Sequence, residues 1–383
     1  MNTPDRPGRR RVAVVTGTRA EYGALQSTLA AIAAHPRLEL QLVVGGMHLL
    51  PKFGRTVAQI AADGWPIAAR VPMQTGRDDP LDQARGLARG VAGMAEFFHK
   101  SATDVVVVLG DRIEAMAGAL AAVTSGRILA HIHGGDVAAG DFDESLRHAI
   151  TKLAHVHLTA TRQSQRRVLR LGESPQRVYC VGAPGLDRLR ELRGEQPRRR
   201  QRCRCALVVQ HAYGRPAAVE QAVATRILRA VADAGLRRLI IYPNSDRGHR
   251  GVVRAIEQHR RSSPPGQARV FRSLPRDEYL RLLLRAEVLI GNSSSGIIEA
   301  PFAGTPAVDV GQRQRGRQAG GPGVFHAAES AVAIRAALRA ALRWRRRRPA
   351  RSVYGDGWAG ERIARILARI PLNQGFARKQ ITY

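Results

Sequence analysis

Apolar residues fall along this chain in two rhythms that take turns. Short continuous runs at 11–15, 38–44, 105–109, 128–132, 156–160 and 178–181 predict strands buried on both faces. Between them, apolar positions three and four apart predict helices at 25–34, 53–63, 81–99 and 163–171, and a small-residue helix follows Asp111. After a charged stretch the rhythm resumes, with strands at 206–209, 239–242, 269–271, 288–290 and 306–310. Helices are predicted at 219–234, 251–259, 276–285, from Ile297 onward and at 331–342. Strand and helix in strict alternation predict an α/β chain built on doubly wound parallel sheets. The stretch 190–204, RELRGEQPRRRQRCR, has little apolar content and reads as an interdomain linker. The expected division is a first domain at 1–190, a linker at 191–204, a second domain at 205–365 and a tail at 366–383.

Length agrees with two domains: 383 residues, 44% hydrophobic and 24% charged, supply apolar mass for two cores. No run is long enough to span a bilayer. The opening MNTPDRPGRRR lacks the apolar core of a secretion signal, so the cytoplasm is expected and no membrane partner is. A formal charge of +30 raises nucleic acid as a partner. Only four of the 61 basic residues are lysines, however, and arginine, alanine and glycine dominate together, the signature of GC-rich codons. The charge then belongs to solvated faces, Arg198 to Arg200 included, where it can draw in a small polyanion. No interleaving of aromatic and basic residues appears, and no nucleic acid is expected. Cys180, Cys203 and Cys205 form no disulfide framework, and Cys203-x-Cys205 has no second pair with which to hold zinc.

The candidate chemistry concentrates in 109–152, LGDRIEAMAGALAAVTSGRILAHIHGGDVAAGDFDESLRHAITK. Successive βα units place Asp111, His133, Asp136, Asp143 and Glu144 just beyond the carboxyl ends of parallel strands, where open α/β sheets hold ligands. Acids grouped with an imidazole suit proton transfer; helix capping and turn-making by Asp are the structural alternative. At the first βα junction, Thr16 to Gly23 lacks GxGxxG, so no nicotinamide cofactor is indicated. Arg19 beside a helix start suits a phosphate. His48, after two glycines at a strand end, is expected in a cleft. In the second half, Gly291-Asn292-Ser293-Ser294-Ser295-Gly296 sets hydroxyls and backbone N–H groups at a helix start, where the macrodipole favours anions. Glu299 lies one turn on, placed to accept bonds from ribose hydroxyls. A nucleotide-sugar is thereby expected, with phosphate on the serines and sugar on the carboxylates.

Taken together, GTRAEYG at Gly17, GMH at Gly46, LGDR at Leu109, HIHGGD at His131, DESLRHAITKLAH at Asp143, NSSSGIIE at Asn292 and YGDG at Tyr354 resemble the hydrolysing UDP-N-acetylglucosamine 2-epimerases of sialic acid synthesis. The resemblance covers nearly the whole chain, in order. It implies a glycosyltransferase-B-like fold, two Rossmann-like domains facing across a cleft, with UDP mainly on the second and the C-terminal tail packing back on the first. It places Arg19, Arg112, His211, Asn244, Ser293, Ser294, Glu299 and Arg313 at UDP-contacting positions, with Leu274 near the base. Asp111, His133 and Asp143 stand at catalytic positions. His133 stands where animal relatives carry Glu; Gly23, Ala212 and Trp358 also depart from the usual pattern.

The implied reaction needs no metal and no cofactor. C2 of an N-acetylglucosamine carries a poorly acidic proton, so the open route is loss of UDP from C1 with removal of the C2 proton, giving a glycal. Water then adds at C1 and a proton at C2 from the other face, leaving N-acetylmannosamine. Arg19, Arg112, His211 and the serine loop would support the leaving diphosphate, with Asp111 and Asp143 as acid and base. The alternatives are the same reaction on a UDP-2,4-diacetamido-trideoxy-hexose, a retaining glycosyltransferase, or a polyanion-binding protein without activity. A homo-oligomer, dimer or tetramer, is expected.

Overall fold

The computed structural model describes residues 8–51, 54, 56–77, 80–137, 143–195, 203–243, 246–344, 352–380 and 382. They divide into two compact units: Met1–Asp136, Phe142–Asp187 and Gly357–Tyr383 form one, Val137–Asp141 and Arg188–Asp356 the other. Each is an α/β layer structure on one parallel sheet, the fold class expected.

In the first unit the strands are β1 (Arg10–Thr16), β2 (Leu38–Gly45), β3 (Ile67–Val71), β4 (Val105–Leu109), β5 (Ile128–Ile132), β6 (Val156–Thr159) and β7 (Val178–Cys180), in the order β3-β2-β1-β4-β5-β6-β7. The intervening helices are α1 (Arg19–Ala34), α2 (Val57–Ala62), α3 (Pro80–Lys100), α4 (Ile113–Thr124), α5 (Asp143–Leu153) and α6 (Arg162–Arg170). Side chains alternate across a strand, so Val12, Val14, Val105 and Val107 enter a core on one face while Ala13, Val15, Val106 and Val108 enter a core on the other. That double burial is why these strands read as unbroken apolar runs. The second face accepts helices closely because they are built from small residues. A side chain at Gly118 of α4 would meet Val15 and Val108 at 3.1 Å, and one at Gly90 of α3 would meet Ala117 at 2.9 Å.

The helix α7 (Gly185–Gly194) carries the chain across the division after Asp187. The first residues of the expected linker are therefore helical: Leu186, Leu189 and Leu192 recur every three residues on a buried side. Residues 196–202 lie outside the described set. The second unit holds β8 (Cys205–Val209), α8 (Ala217–Asp233), β9 (Arg237–Ile241), α9 (His249–Ser262), β10 (Ala268–Phe271), α10 (Arg276–Arg285), β11 (Val288–Gly291), α11 (Ser295–Ala303), β12 (Ala307–Val310), β13 (Val324–Ala327) and α12 (Ala331–Arg343). Its sheet order is β10-β9-β8-β11-β12-β13. Cys203 and Cys205 are bonded to each other, a link that staples no two elements together.

From Gly357 the chain returns to the first unit, earlier than the expected tail at 366. The reason is α13 (Ala359–Leu367), which buries Ile363, Ala364 and Leu367 in the same core as α1. Gly360 permits the approach, since any Cβ there would lie 2.7 Å from the Ser27 carbonyl oxygen. Beyond it, α14 (Gln374–Ala377) leads to Lys379, whose Nζ meets Glu173 at 2.6 Å and donates to the Lys152 carbonyl at 2.7 Å. Burial alone would push the Glu173 carboxyl up; bonds from His157, Lys152 and Lys379 outweigh it and hold it at about 2. The far end of α5 is thus tied to the C-terminal segment.

In both sheets the strand order reverses direction once, between β1 and β4 and between β8 and β11. Such a reversal opens a crevice outside the carboxyl ends of the two strands, because their connections leave toward opposite faces.

Candidate functional site

At the first reversal, β4 is followed by Gly110, with φ +77, and the chain turns through Asp111 and Arg112 into α4. The turn is pinned from below by His131 on β5, fully buried, whose Nε2 donates to the Gly110 carbonyl at 2.8 Å while Nδ1 faces Thr151 Oγ1 at 3.2 Å. Burial, ahead of all other causes, pushes this imidazole down to about 3, which keeps it neutral, and the bond to the Gly110 carbonyl places its proton on Nε2. Asp111 itself ion-pairs with Arg147 of α5. Arg147 is 1% exposed, yet it gathers three acceptors: Asp111, Glu144 Oε2 at 2.5 Å and the Asp136 carbonyl at 3.0 Å. A guanidinium so buried is tolerable only because its forked donors are filled. Asp143, half-buried, opens the same helix.

Next to this ion pair, β5 is followed by His133, one of the non-glycine residues with positive φ (+66) among those described. Its Nδ1 meets Asp136 Oδ2 at 2.8 Å, and Asp136 Oδ1 accepts from Ser164 Oγ at 2.6 Å. The neighbouring Gly135 (φ +77) can carry no side chain, for a Cβ would lie 2.3 Å from the Ser164 carbonyl oxygen. With Nδ1 engaged by the carboxylate, Nε2 remains for proton exchange.

Arg19 and Arg112 belong to the same end of the first sheet. Arg19 is exposed at the start of α1 and Arg112 is half-buried, with Nη2 3.8 Å from Met47 Sδ. The start of α1 is not an open phosphate cradle, however. Glu21 accepts from the backbone N–H groups of Gly17 (3.0 Å) and Thr18 (2.9 Å), and Thr18 caps Glu21 in return. Burial and then the charge of Glu114 push the Glu21 carboxyl up to about 7. Glu114, completely buried, takes a bond from Gln74 at 3.0 Å, while its Oε2 has no hydrogen-bond partner. His48 is equally buried and held by Thr16 and Thr56 at 3.1 and 2.6 Å. Burial lowers its pKa to about 4, so it is a neutral packing residue and not a cleft histidine.

At the second reversal, Asn292 joins the two strand ends. Its Oδ1 accepts from the His211 N–H at 2.7 Å and its Nδ2 donates to the His211 carbonyl at 2.8 Å. Burial, with Arg313 second, lowers the His211 imidazole to about 3. Arg313 donates to the Asn292 carbonyl at 3.2 Å. Ser294 is the N-cap of α11, but its side chain makes no cap bond, and no acid occupies the first turn. Ser293 Oγ accepts weakly from the Ser295 N–H at 3.4 Å. Glu299 is buried and engaged by Arg276 and by the Ser295 hydroxyl, which itself accepts from Tyr279 at 2.5 Å. Leu274 is half-buried just ahead of α10, and Asn244 lies outside the described residues.

Parallel sheets with these loops at their reversals are shared by many enzymes, and comparison with known proteins decides among them. The family model for UDP-N-acetylglucosamine 2-epimerases matches residues 30–368. The chain belongs to that family. A UDP-N,N'-diacetylbacillosamine 2-epimerase (hydrolyzing) of Legionella pneumophila is 32% identical over 385 residues, covering 98% of this chain and 100% of that protein. A UDP-N-acetylglucosamine 2-epimerase of Neisseria meningitidis is 31% identical over 319 residues, covering 81% of this chain and 82% of its own. Among solved structures, a UDP-GlcNAc 2-epimerase from Neisseria meningitidis bound to UDP-GlcNAc superposes with a TM-score of 0.77 at 15% identity, over 94% of this chain and 100% of that one. That likeness is one of fold.

Within this epimerase chain, Asp111 and His133 fall beside Arg147 and Asp136, the residues that hold them. His211, Ser293, Ser294, Glu299 and Arg313 gather at the β8 and β11 ends. Sequence reasoning missed Arg147, Arg276 and Tyr279. Arg147 sits four residues after Asp143 on one helix face, a spacing that pairs side chains. Its burial could not be read from a chain so rich in arginine. Among the described residues no group of acids, histidines and cysteines could hold a metal ion, and no helix is long and apolar enough to cross a membrane.

Proposed function

We propose that this chain is a hydrolysing 2-epimerase, converting UDP-N-acetylglucosamine and water to N-acetylmannosamine and UDP. The observation that carries the reading is a division of labour between the two strand reversals: acids and His133 at one, an anion-receptive loop free of acid in its first turn at the other. Ser293, Ser294, His211 and Arg313 take the diphosphate, where backbone N–H groups and the helix dipole favour negative charge. Leu274 and Asn244 lie toward the nucleoside, and Glu299 exchanges its bonds to Arg276 and Ser295 for ribose hydroxyls. Arg19 and Arg112 add positive charge for the departing phosphate.

In the first step the C1–O bond breaks, the electron pair leaves with UDP, and a base takes the C2 proton, forming the 2-acetamido glycal. In the second, water adds its hydroxyl to C1 and a proton reaches C2 from the opposite face. Asp111 and Asp143 are the acid and base, and Arg147 orients Asp111. His133 is the third proton-handling group, its ring turned by Asp136 so that Nε2 is the active nitrogen.

A second reading keeps the chemistry and changes the sugar to a UDP-2,4-diacetamido-trideoxy-hexose. The full-length relative in Legionella pneumophila favours it, since that protein's name specifies a diacetylbacillosamine substrate. Proton NMR in deuterated water distinguishes the cases. Free N-acetylmannosamine carrying deuterium at C2 is expected from UDP-N-acetylglucosamine. Turnover of the diacetamido analogue alone would move the assignment to the second sugar. A product still bearing UDP would remove the hydrolytic step.

A further inference from the structure

Thr151, fully buried near the end of α5, gives its two oxygens to partners from distant parts of the chain. Its carbonyl is one of the last of the helix, where N–H partners run out. The His155 N–H, which would have closed the next helical turn on it, donates instead to the Leu129 carbonyl at 2.8 Å. Lys379 Nζ takes the vacated place at 3.1 Å, and its positive charge suits a helix C-terminus. The hydroxyl of Thr151 goes the other way, to His131 Nδ1 at 3.2 Å. A carbonyl can only accept, so His131 Nε2 carries the proton shared with Gly110, and Nδ1 must accept from Thr151. A helical threonine commonly turns its hydroxyl to the carbonyl four residues back; here it crosses to β5.

This one buried bond supports all three proton-handling groups. Through His131 it holds the Gly110 carbonyl, and so the turn that carries Asp111. The backbone beside His133 rests on it, for a Cβ at Gly134 would lie 3.0 Å from His131 Nδ1 and 3.1 Å from Thr151 Oγ1. On α5, steps of four put Asp143, Arg147 and Thr151 on one helix face. We propose that Thr151 is a positioning residue for the 2-epimerase chemistry, and that Lys379 sets it from the C-terminal segment. Lys379 is itself fixed by Glu173 at 2.6 Å, so the order runs from Glu173 through Lys379, Thr151 and His131 to the acids. The proposal rests on the epimerase reading, and it adds that the C-terminal segment tunes catalysis and not UDP binding.

Steady-state UDP release and calorimetric titration with UDP are compared for wild type, Thr151→Val, Thr151→Ser and Lys379→Met. Valine keeps the branched shape and removes the hydroxyl; serine keeps the hydroxyl. Thr151→Val should lower kcat about tenfold or more, since small misplacements of reacting groups are costly. Its UDP dissociation constant should stay within about twofold, because the serine loop is untouched. Thr151→Ser should bring kcat back to within about threefold of wild type, and Lys379→Met should lower kcat about threefold or more at unchanged UDP affinity. Four results overturn the proposal: full kcat in Thr151→Val, serine no better than valine, full kcat in Lys379→Met, or UDP affinity falling in step with kcat, the mark of a loosened fold. If Thr151→Val does not fold, Lys379→Met decides alone. A wild type that releases UDP from neither sugar is a different failure, visible before any variant is made, and sinks the epimerase reading itself.

Discussion

The segments β4–α4 and β11–α11 occupy the same topological place, each the first βα step beyond its sheet's reversal, yet they face a ligand with opposite electrostatics. Asp111, partly exposed, precedes α4, and Asp143 and Glu144 open α5, so a ligand at this end meets carboxylates, while Glu114 in the first turn of α4 is sealed inside. At α11 the first turn holds no acid, the N-cap serine leaves its hydroxyl unused for capping, and Arg313 and His211 stand nearby. The fold offers each unit the same crevice. What separates a proton-handling end from a phosphate-holding end is whether the chain fills its own helix start with acids.

The most severe test removes what holds the acidic side together. Arg147→Met leaves Asp111 and Glu144 without their cation. The expected loss of stability is about 3 kcal/mol, the low end for a broken buried pair because both carboxylates keep some solvent. Urea unfolding measures it, and a loss under about 1 kcal/mol would mean that Arg147 is not the organiser.

Less drastic for the fold, Asp111→Asn and Asp143→Asn should each lower UDP release by about a hundredfold or more. UDP affinity, read by calorimetry, should stay within about threefold, because the phosphate side is untouched. Near-normal turnover in both variants contradicts their assignment.

A matched pair of hydroxyl deletions sharpens the contrast between helix starts. Thr18→Ala breaks the capping box of α1 and should cost about 1 kcal/mol of stability without weakening UDP binding. Ser294→Ala breaks no cap bond and should leave stability within about 0.5 kcal/mol while raising the UDP dissociation constant about fivefold. If both variants lose stability and neither loses affinity, the serine loop is only a cap.

The smallest effect is a slope against pH. Glu21 is pushed up to about 7 from 4.5, so between those values the folded chain keeps a proton that the unfolded chain releases. Its contribution to stability therefore falls as pH rises through that window and levels off above it. The stability of wild type relative to Glu21→Gln should accordingly be greater at about pH 5 than at about pH 7.5. A difference independent of pH would mean that the Glu21 carboxyl is not held protonated by its surroundings.

Strand runs such as VVVVL at β4 were legible because burial on both faces leaves an unbroken apolar signal. The loops bearing Asp111, His133 and Ser294 were legible because residues at strand ends are placed by topology. Three features were not. The strand β13, VFHA, is half-exposed and carries a histidine, so its apolar run is too short to stand out. The helix α7 shows its leucine spacing only beneath five charged residues among ten, and its last turn passed for linker. His48 looked like a cleft residue, since nothing local announces that Thr16 and Thr56 will close around it. The partners of the site acids are long-range in the same sense: Asp111 and Arg147 meet only because β4 and α5 share one end of the sheet.

Residues 357–383 complete the first unit's core but emerge from the ribosome only after the second unit has been made. Translation of the intervening stretch of roughly 170 residues lasts on the order of ten seconds or more. During that interval the surface of α1 that later receives Ile363 and Leu367 has no cover, while the second unit, all but five residues of which lie in the single stretch Arg188–Asp356, can close on itself. Nascent-chain handling thus falls unequally on the two halves. The acid-bearing half waits with exposed apolar surface, the state that chaperones recognise, and its ion pair of Lys379 with Glu173 forms only after the second unit has been made.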